Sequence, residues 1–303
     1  MEASRLFLDS AIKEKICQYL SFEDAIQFRD ALGLPSLKCP ILVTDWFSHQ
    51  KIFLPGVNST TIQVYKLIKK NGLIPTFMLT AATNQYLILQ TLINVGVDSN
   101  ATIQSGQTAL MVASQKGRSE SVQILIDNGA DVNMTDVNGN FALLLASRHN
   151  RSSVIPILLT AQNIDVNKSN NDGMTSLMVA SQFDHNSVVK ILLTVKNIDV
   201  NEQNEWGTTA LMIAASQHQN SAIETLLTDK NININETDVY GNTALIIAAQ
   251  GNNLEGVKIL LTSKNIDVNI VNYSGETALK LAMEDTFYPN NELILYLKEH
   301  GAR

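Results

Sequence analysis

Cysteine is almost missing: the chain has only Cys17 and Cys39 among 303 residues. Two thiols cannot build a disulfide framework, and they do not have the spacing of a metal site. A reducing compartment is therefore the expectation. Proline (6) and glycine (15) are also sparse, which excludes a collagen-like or low-complexity chain. No run of Lys or Arg is long enough to form a basic patch, and the formal charge is −7. Nucleic-acid binding needs a clustered basic footprint, so that class is excluded. The opening "MEASRLFLDSAIKEK" has no basic region followed by an apolar one, so no signal peptide is expected. Nowhere do about 18 apolar residues follow one another, so no membrane span is expected. The reading is a soluble cytoplasmic chain, with the nucleus as an alternative.

What is present is apolar residue in plenty, 45% of the chain, arranged with a period. The pattern G-x-T-A-L or a close variant starts at Gly106, Gly139, Gly173, Gly207, Gly241 and Gly275, at intervals of 33, 34, 34, 34 and 34. Gly139 opens the one copy in which the threonine is replaced, by Phe141. A second marker, "DVN", closes the units at 131–133, 165–167, 199–201 and 267–269, with "NIN" at 233–235. Two independent markers with one period define a tandem array.

Each copy holds two short helices. In "TALIIAAQ" Leu245, Ala248 and Ala249 share one face. In "LEGVKILLTS" the shared face is Leu254, Val257, Leu260 and Leu261. Alanines at 113, 146, 180, 214, 248 and 282 recur once per unit, where neighbouring helices must approach closely. One helix pair has too little apolar surface to stand alone, so stability comes from stacking. Gly129 is suited to close a second helix in the left-handed conformation, and Asn163, Asn197, Asn231 and Asn265 are expected to do so in later copies, around one inserted residue. Pro156 falls near a helix start, where its missing N–H costs little.

A unit of about 33 residues with these markers resembles the ankyrin repeat, over roughly residues 72–303. The resemblance implies an all-α solenoid of stacked helix pairs with protruding β-turn fingers. It also implies that a client protein is held by the finger tips and the inward, concave face. The family's T-P-L-H has become T-A-L-M, T-A-L-I or T-S-L-M, so apolar packing of Met111, Met178, Met212 and Ile246 must replace a histidine–threonine hydrogen bond. The expected division is 1–58, then 59–105 (a capping helix in "IQVYKLIKKNG", 62–72, and a shortened, degenerate first unit, 76–100), then the array 106–303. Its copies are 106–138, 139–172, 173–206, 207–240 and 241–274, with 275–303 as the closing cap. In that cap Lys298, Glu299, His300 and Arg303 are expected to face water.

Catalysis finds no support in the motifs. His149, His185 and His218 recur near the turn between helices. Stacked helices lie about 8–10 Å apart, so three such rings do not converge on one ion. No serine-nucleophile, phosphate-loop or zinc-protease pattern occurs. The expectation is no enzyme, no cofactor and no metal. Binding is the better reading: Trp206, Tyr240 and Tyr273 fall on successive tips, beside Glu205, and Phe183 is expected to lie next to them. Glu202, Glu205 and Glu236 would surround the rings with negative charge. Residue types of this kind dominate interface energetics.

Residues 1–58 lack every repeat marker, and Pro35, Pro40 and Pro55 break them into short pieces. Ile12, Ile16, Tyr19 and Leu20 line one helical face. Ser21 then precedes "FEDAIQFRDAL" with Asp24 at its third position, a capping arrangement for a second helix. This resembles the F-box, over about 20 residues. Leu8, Ile12, Ile16, Tyr19, Leu20 and Asp24 match its pattern, while Asp9, Ala11, Cys17 and Ala25 depart from it. The resemblance implies docking, through the six matching residues, on the adaptor subunit of a cullin-RING ubiquitin ligase. It also implies kinship with F-box–ankyrin proteins of giant viruses and intracellular bacteria. The other reading of the segment is a helical cap for the array, in a scaffold or sequestering protein; under either reading the chain is expected to be a monomer.

Overall fold

The computed structural model describes residues 70–94, 96–284 and 290–303. The F-box-like segment and most of the capping helix expected at 62–72 lie outside the described residues. The chain forms two compact units, one of residues 1–113 and 118–131, the other of 114–117 and 132–303. The described part of the first unit holds α1 (Leu73–Ala82), α2 (Tyr86–Asn94), most of α3 (Ala109–Lys116) and α4 (Ser119–Asp127). The second holds α5 (Ala142–Arg148), α6 (Ile155–Leu158), α7 (Ser176–Gln182), α8 (Asn186–Leu193), α9 (Ala210–Ser216), α10 (Asn220–Leu226), α11 (Ala244–Gln250), α12 (Leu254–Leu260), α13 (Ala278–Glu284) and α14 (Asn291–Glu299). No strand occurs among the described residues, only isolated bridges such as Ser169 to Thr175.

In the second unit the helices stack in two rows, α5, α7, α9, α11 and α13 in one, α6, α8, α10, α12 and α14 in the other. The sequence explains why the first row is tight. Ala146, Ala180, Ala214 and Ala248 are fully buried at the crossings, where a larger side chain would push the row apart. Threonine starts these helices: the hydroxyls of Thr175, Thr209 and Thr243 accept from the amides of Met178, Met212 and Ile246. Those three side chains are themselves buried, as the loss of the histidine requires. Phe141 cannot cap α5, and no side-chain cap bond is made there. Its ring is buried instead. Burying a phenyl group contributes about 1.5–3 kcal/mol, against about 1 kcal/mol for a capping hydroxyl, so the exchange costs the unit little. Pro156 does sit in the first turn of α6, but that helix is only four residues long.

Two expectations change. The first helix pair is full-length: α1 starts at Leu73 rather than Thr76, after Gly72 at φ +86°, and spans ten residues. Nor do Asn163, Asn197, Asn231 and Asn265 take up the left-handed conformation. Gly129 does, at φ +79°, and among the described non-glycine residues only Asn84, Asn150, Asp184, His218 and Asn252, all in the turn between paired helices, have positive φ. The inserted residue removes the need. It lets α8 unwind through successive three-residue turns, Thr194 to Ile191 and Val195 to Leu192, which satisfy the terminal carbonyls with ordinary right-handed backbone.

The "DVN" asparagines have a different task from turn formation. The Asn167 side chain donates to the Asn197 carbonyl at 2.8 Å and accepts from the Asp199 amide at 2.8 Å. Asn201 does the same to Asn231 and Asn233, Asn235 to Asn265 and Asp267, and Asn269 to Gly301 and Arg303. Within the first unit Asn100 makes the equivalent pair to Gly129 and Asp131. One carboxamide thus ties each copy to the main chain of the next. Only Asn offers a donor and an acceptor at this reach. Asn201→Ala is expected to cost about 1–2 kcal/mol in urea unfolding, whereas exposed Gln217→Ala should change stability by less than about 0.5 kcal/mol.

Candidate functional site

The fingers of the second unit are built by a residue three positions before each glycine: Asp136, Asn170, Asn204, Asp238 and Asn272. In the fourth copy's finger the Asn204 Oδ1 accepts from the amides of Trp206 (3.0 Å) and Thr208 (2.9 Å), while the Gly207 amide donates to the Asn204 carbonyl at 2.9 Å. The same pair of bonds recurs at Asp136, Asn170, Asp238 and Asn272. This is a β-turn with Asp or Asn first and glycine fourth. Gly207 is required twice over. Its φ is +70°, and a Cβ there would lie 2.9 Å from the Val239 nitrogen of the next finger. The tips are laced together by main chain, Val239 N to Trp206 O at 3.1 Å and Tyr273 N to Tyr240 O at 2.9 Å.

With the backbone so occupied, the two residues at each tip are left facing out. Trp206 is 52% exposed, Tyr240 65% and Tyr273 79%. Glu205 is exposed beside Trp206. No ring among the described residues stacks on any of these three; the Tyr273 ring edge covers the bare α-carbon of Gly241 and is otherwise open. Val137 and Val239 extend the exposed apolar row. Phe183 does not join it. It lies at the C-terminal end of α7, the whole helix away from the finger, stacked on His185 with ring centroids 5.8 Å apart.

The acids divide as well. Glu236 is held at the finger base by Asn233 and Gln203. The Glu202 carboxyl is pushed above its usual range, first by burial, then by the charges of Asp199 and Asp165. Only Glu205 shares the tip with an aromatic ring. The position that locks each finger was legible as an Asp or Asn recurring every 34 residues, but the expectation attached to the tips alone.

The three histidines reach toward different neighbours. The Gln115 amide donates to His149 Nε2 (3.0 Å), the His185 Nε2 lies 3.1 Å from the Arg148 carbonyl, and His218 takes the positive-φ turn position. Among the described residues no three His, Cys, Asp or Glu side chains are grouped to hold a metal, and no helix is long and apolar enough to cross a membrane. A small polar pocket of about 210 Å³ opens in the second unit, lined by Asn138, Asn140, Arg148, Asn170, Asn171 and Asp172.

Two outcomes follow from these environments. Trp206→Ala combined with Tyr240→Ala should leave the melting temperature within about 2 °C of wild type, because exposed side chains without partners contribute little. His149 is held below the usual histidine range, mainly by burial and then by Arg151, Arg148 and Lys116. The unfolded chain therefore binds the proton more readily, and stability falls as pH drops below about 6.5. His149→Gln should flatten the stability profile between about pH 7.5 and 5.5.

The family model described as "Ankyrin repeats (3 copies)" matches residues 77–170, 143–238, 177–272 and 233–303. Among solved structures, the human ASB11 ankyrin repeat domain superposes with a TM-score of 0.62 at 23% identity, over 74% of this chain and 96% of that one. The ankyrin repeat domain of Bcl-3, described as a unique member of the IkappaB protein family, gives 0.66 at 22%, over 74% and 97%. A search of curated proteins gave no match. The stacked helix pairs and the matched span agree: this chain belongs to the ankyrin-repeat family, a family of protein–protein interaction modules, and its fold is a helical solenoid.

Proposed function

We propose that this chain is the client-recognition subunit of a cullin-RING ubiquitin ligase and performs no chemistry itself. One observation carries the client-binding half. Trp206, Tyr240 and Tyr273 stand exposed on consecutive tips whose main chain is already bonded. Such rings are costly to leave in water and lose little entropy when covered, which suits them to anchor a partner. The half that delivers the client rests on the resemblance of Leu8, Ile12, Ile16, Tyr19, Leu20 and Asp24 to an F-box. Apolar helix faces of that kind bind by lying in a groove. The client would be presented by the array while the leading segment holds the adaptor.

The two halves are separable. Wild-type protein is expected to co-purify with the adaptor and to capture a client. Leu20→Asp should lose the adaptor and keep the client, and Trp206→Ala with Tyr240→Ala should do the reverse. Absence of the adaptor from both the wild-type and Leu20→Asp preparations would remove the ligase role and leave a scaffolding or sequestering array.

A further inference from the structure

We infer that the client segment held across the finger tips is an extended stretch of protein bearing lysine or arginine at about every third residue. This rests on the reading of the aromatic tips as the capture surface and gives that surface a ligand chemistry.

The argument starts from where the charge lies. The five fingers of the second unit, at 133–141, 167–175, 201–209, 235–243 and 269–277, contain seven Asp or Glu and a single Lys, Lys168. The rest of the chain is nearly neutral, with 21 basic and 22 acidic residues. Six of the seven net negative charges are thus concentrated in the element that carries the exposed rings. Local compensation is slight: among the described residues ion pairs reach one finger acid only, Glu276, 3.7 Å from Lys280.

Aromatic rings in a negative field suit a cation on an apolar stem. The faces of Trp and Tyr attract ammonium and guanidinium groups, while the methylene chains of Lys and Arg lie along the ring. At the Trp206 tip, Glu205 adds a carboxylate for the cation itself. The array sets the spacing. Neighbouring helix pairs lie about 8–10 Å apart, and a chain extended in the polyproline-II conformation has three residues per turn and advances about 3.1 Å per residue, so roughly every third side chain shares one face and meets a new tip. The sign of the charge disfavours an acidic segment or a nucleic acid.

The test uses the full-length protein and two fluorescein-labelled peptides, each with three charged residues separated by Ser-Ser, one arginine-based and one glutamate-based, followed by anisotropy. The arginine peptide is expected to bind at least about tenfold tighter than the glutamate peptide. Its affinity should fall as salt is raised from about 50 to 300 mM. Glu205→Lys and Trp206→Ala, both at exposed positions, should each weaken it by about tenfold with unchanged melting curves. Equal binding of the two peptides, no arginine-peptide binding up to about 1 mM, or affinity indifferent to salt would each overturn the inference. So would a concentration-dependent mass lost in Trp206→Ala, which would make the occupant a second copy of this chain. Loss of a captured client in the Trp206→Ala, Tyr240→Ala protein would persist in all these cases if the tips do capture proteins, so the two readings fail separately.

Discussion

The carboxamide of one asparagine per copy is the interaction on which the second unit depends. Asn167, Asn201, Asn235 and Asn269 each hold one carbonyl and one amide of the following copy. Hydrophobic burial supplies most of the stabilisation, but it is non-directional. Two seven-residue helices could slide against their neighbours with modest loss of contact. The bridging amides fix the register at which the alanine crossings coincide. Once register is fixed, Ala214 and Ala248 meet close partners, the threonine caps start the next helices, and the fingers fall in line.

Much of this was legible in the sequence, and where it was not the cause is physical. A period of 34 gave the helix pairs, their buried faces and the place of each finger. The same periodicity hid the asparagines' role. A residue recurring at every unit boundary suits either a turn or a bridge, and only coordinates show that its partners lie about 30 residues ahead. The expectation for Asn163 and its equivalents assumed that a helix must end left-handed. The extra residue in these copies provides another exit, through three-residue turns. Phe183 was grouped with the tips because sequence position does not say to which end of a helix a neighbour belongs. The row of Trp206, Tyr240 and Tyr273 was legible because the tip is defined by its glycine.

Division of labour follows. Core, caps and bridges use apolar side chains, threonine hydroxyls and amides, which carry no charge. The acids are free to gather on the fingers, whose turns need only an Asp or Asn oxygen at one position. Asp136 and Asp238 fill that role with a charged group where Asn170, Asn204 and Asn272 fill it with a neutral one. The main-chain bonds of the turn are the same in both cases, but the second side-chain atom differs: Asp136 and Asp238 accept from Asn140 and Asn242, whereas Asn170 and Asn272 donate to those same two asparagines from the following finger.

Both ends of every bridge land on main-chain atoms, which all residues share. A copy in this array does not recognise its neighbour's side chains through the bridge; it recognises only that a backbone of the right path lies beside it. The bridge alone therefore places no demand on the sequence next door; what restricts the exchange of copies is the packing at the alanine crossings and side-chain pairs such as Asn170 with Asn140 and Asn272 with Asn242. The bridge is thus the grammar of a sentence, and what varies from word to word is the pair of residues at each tip.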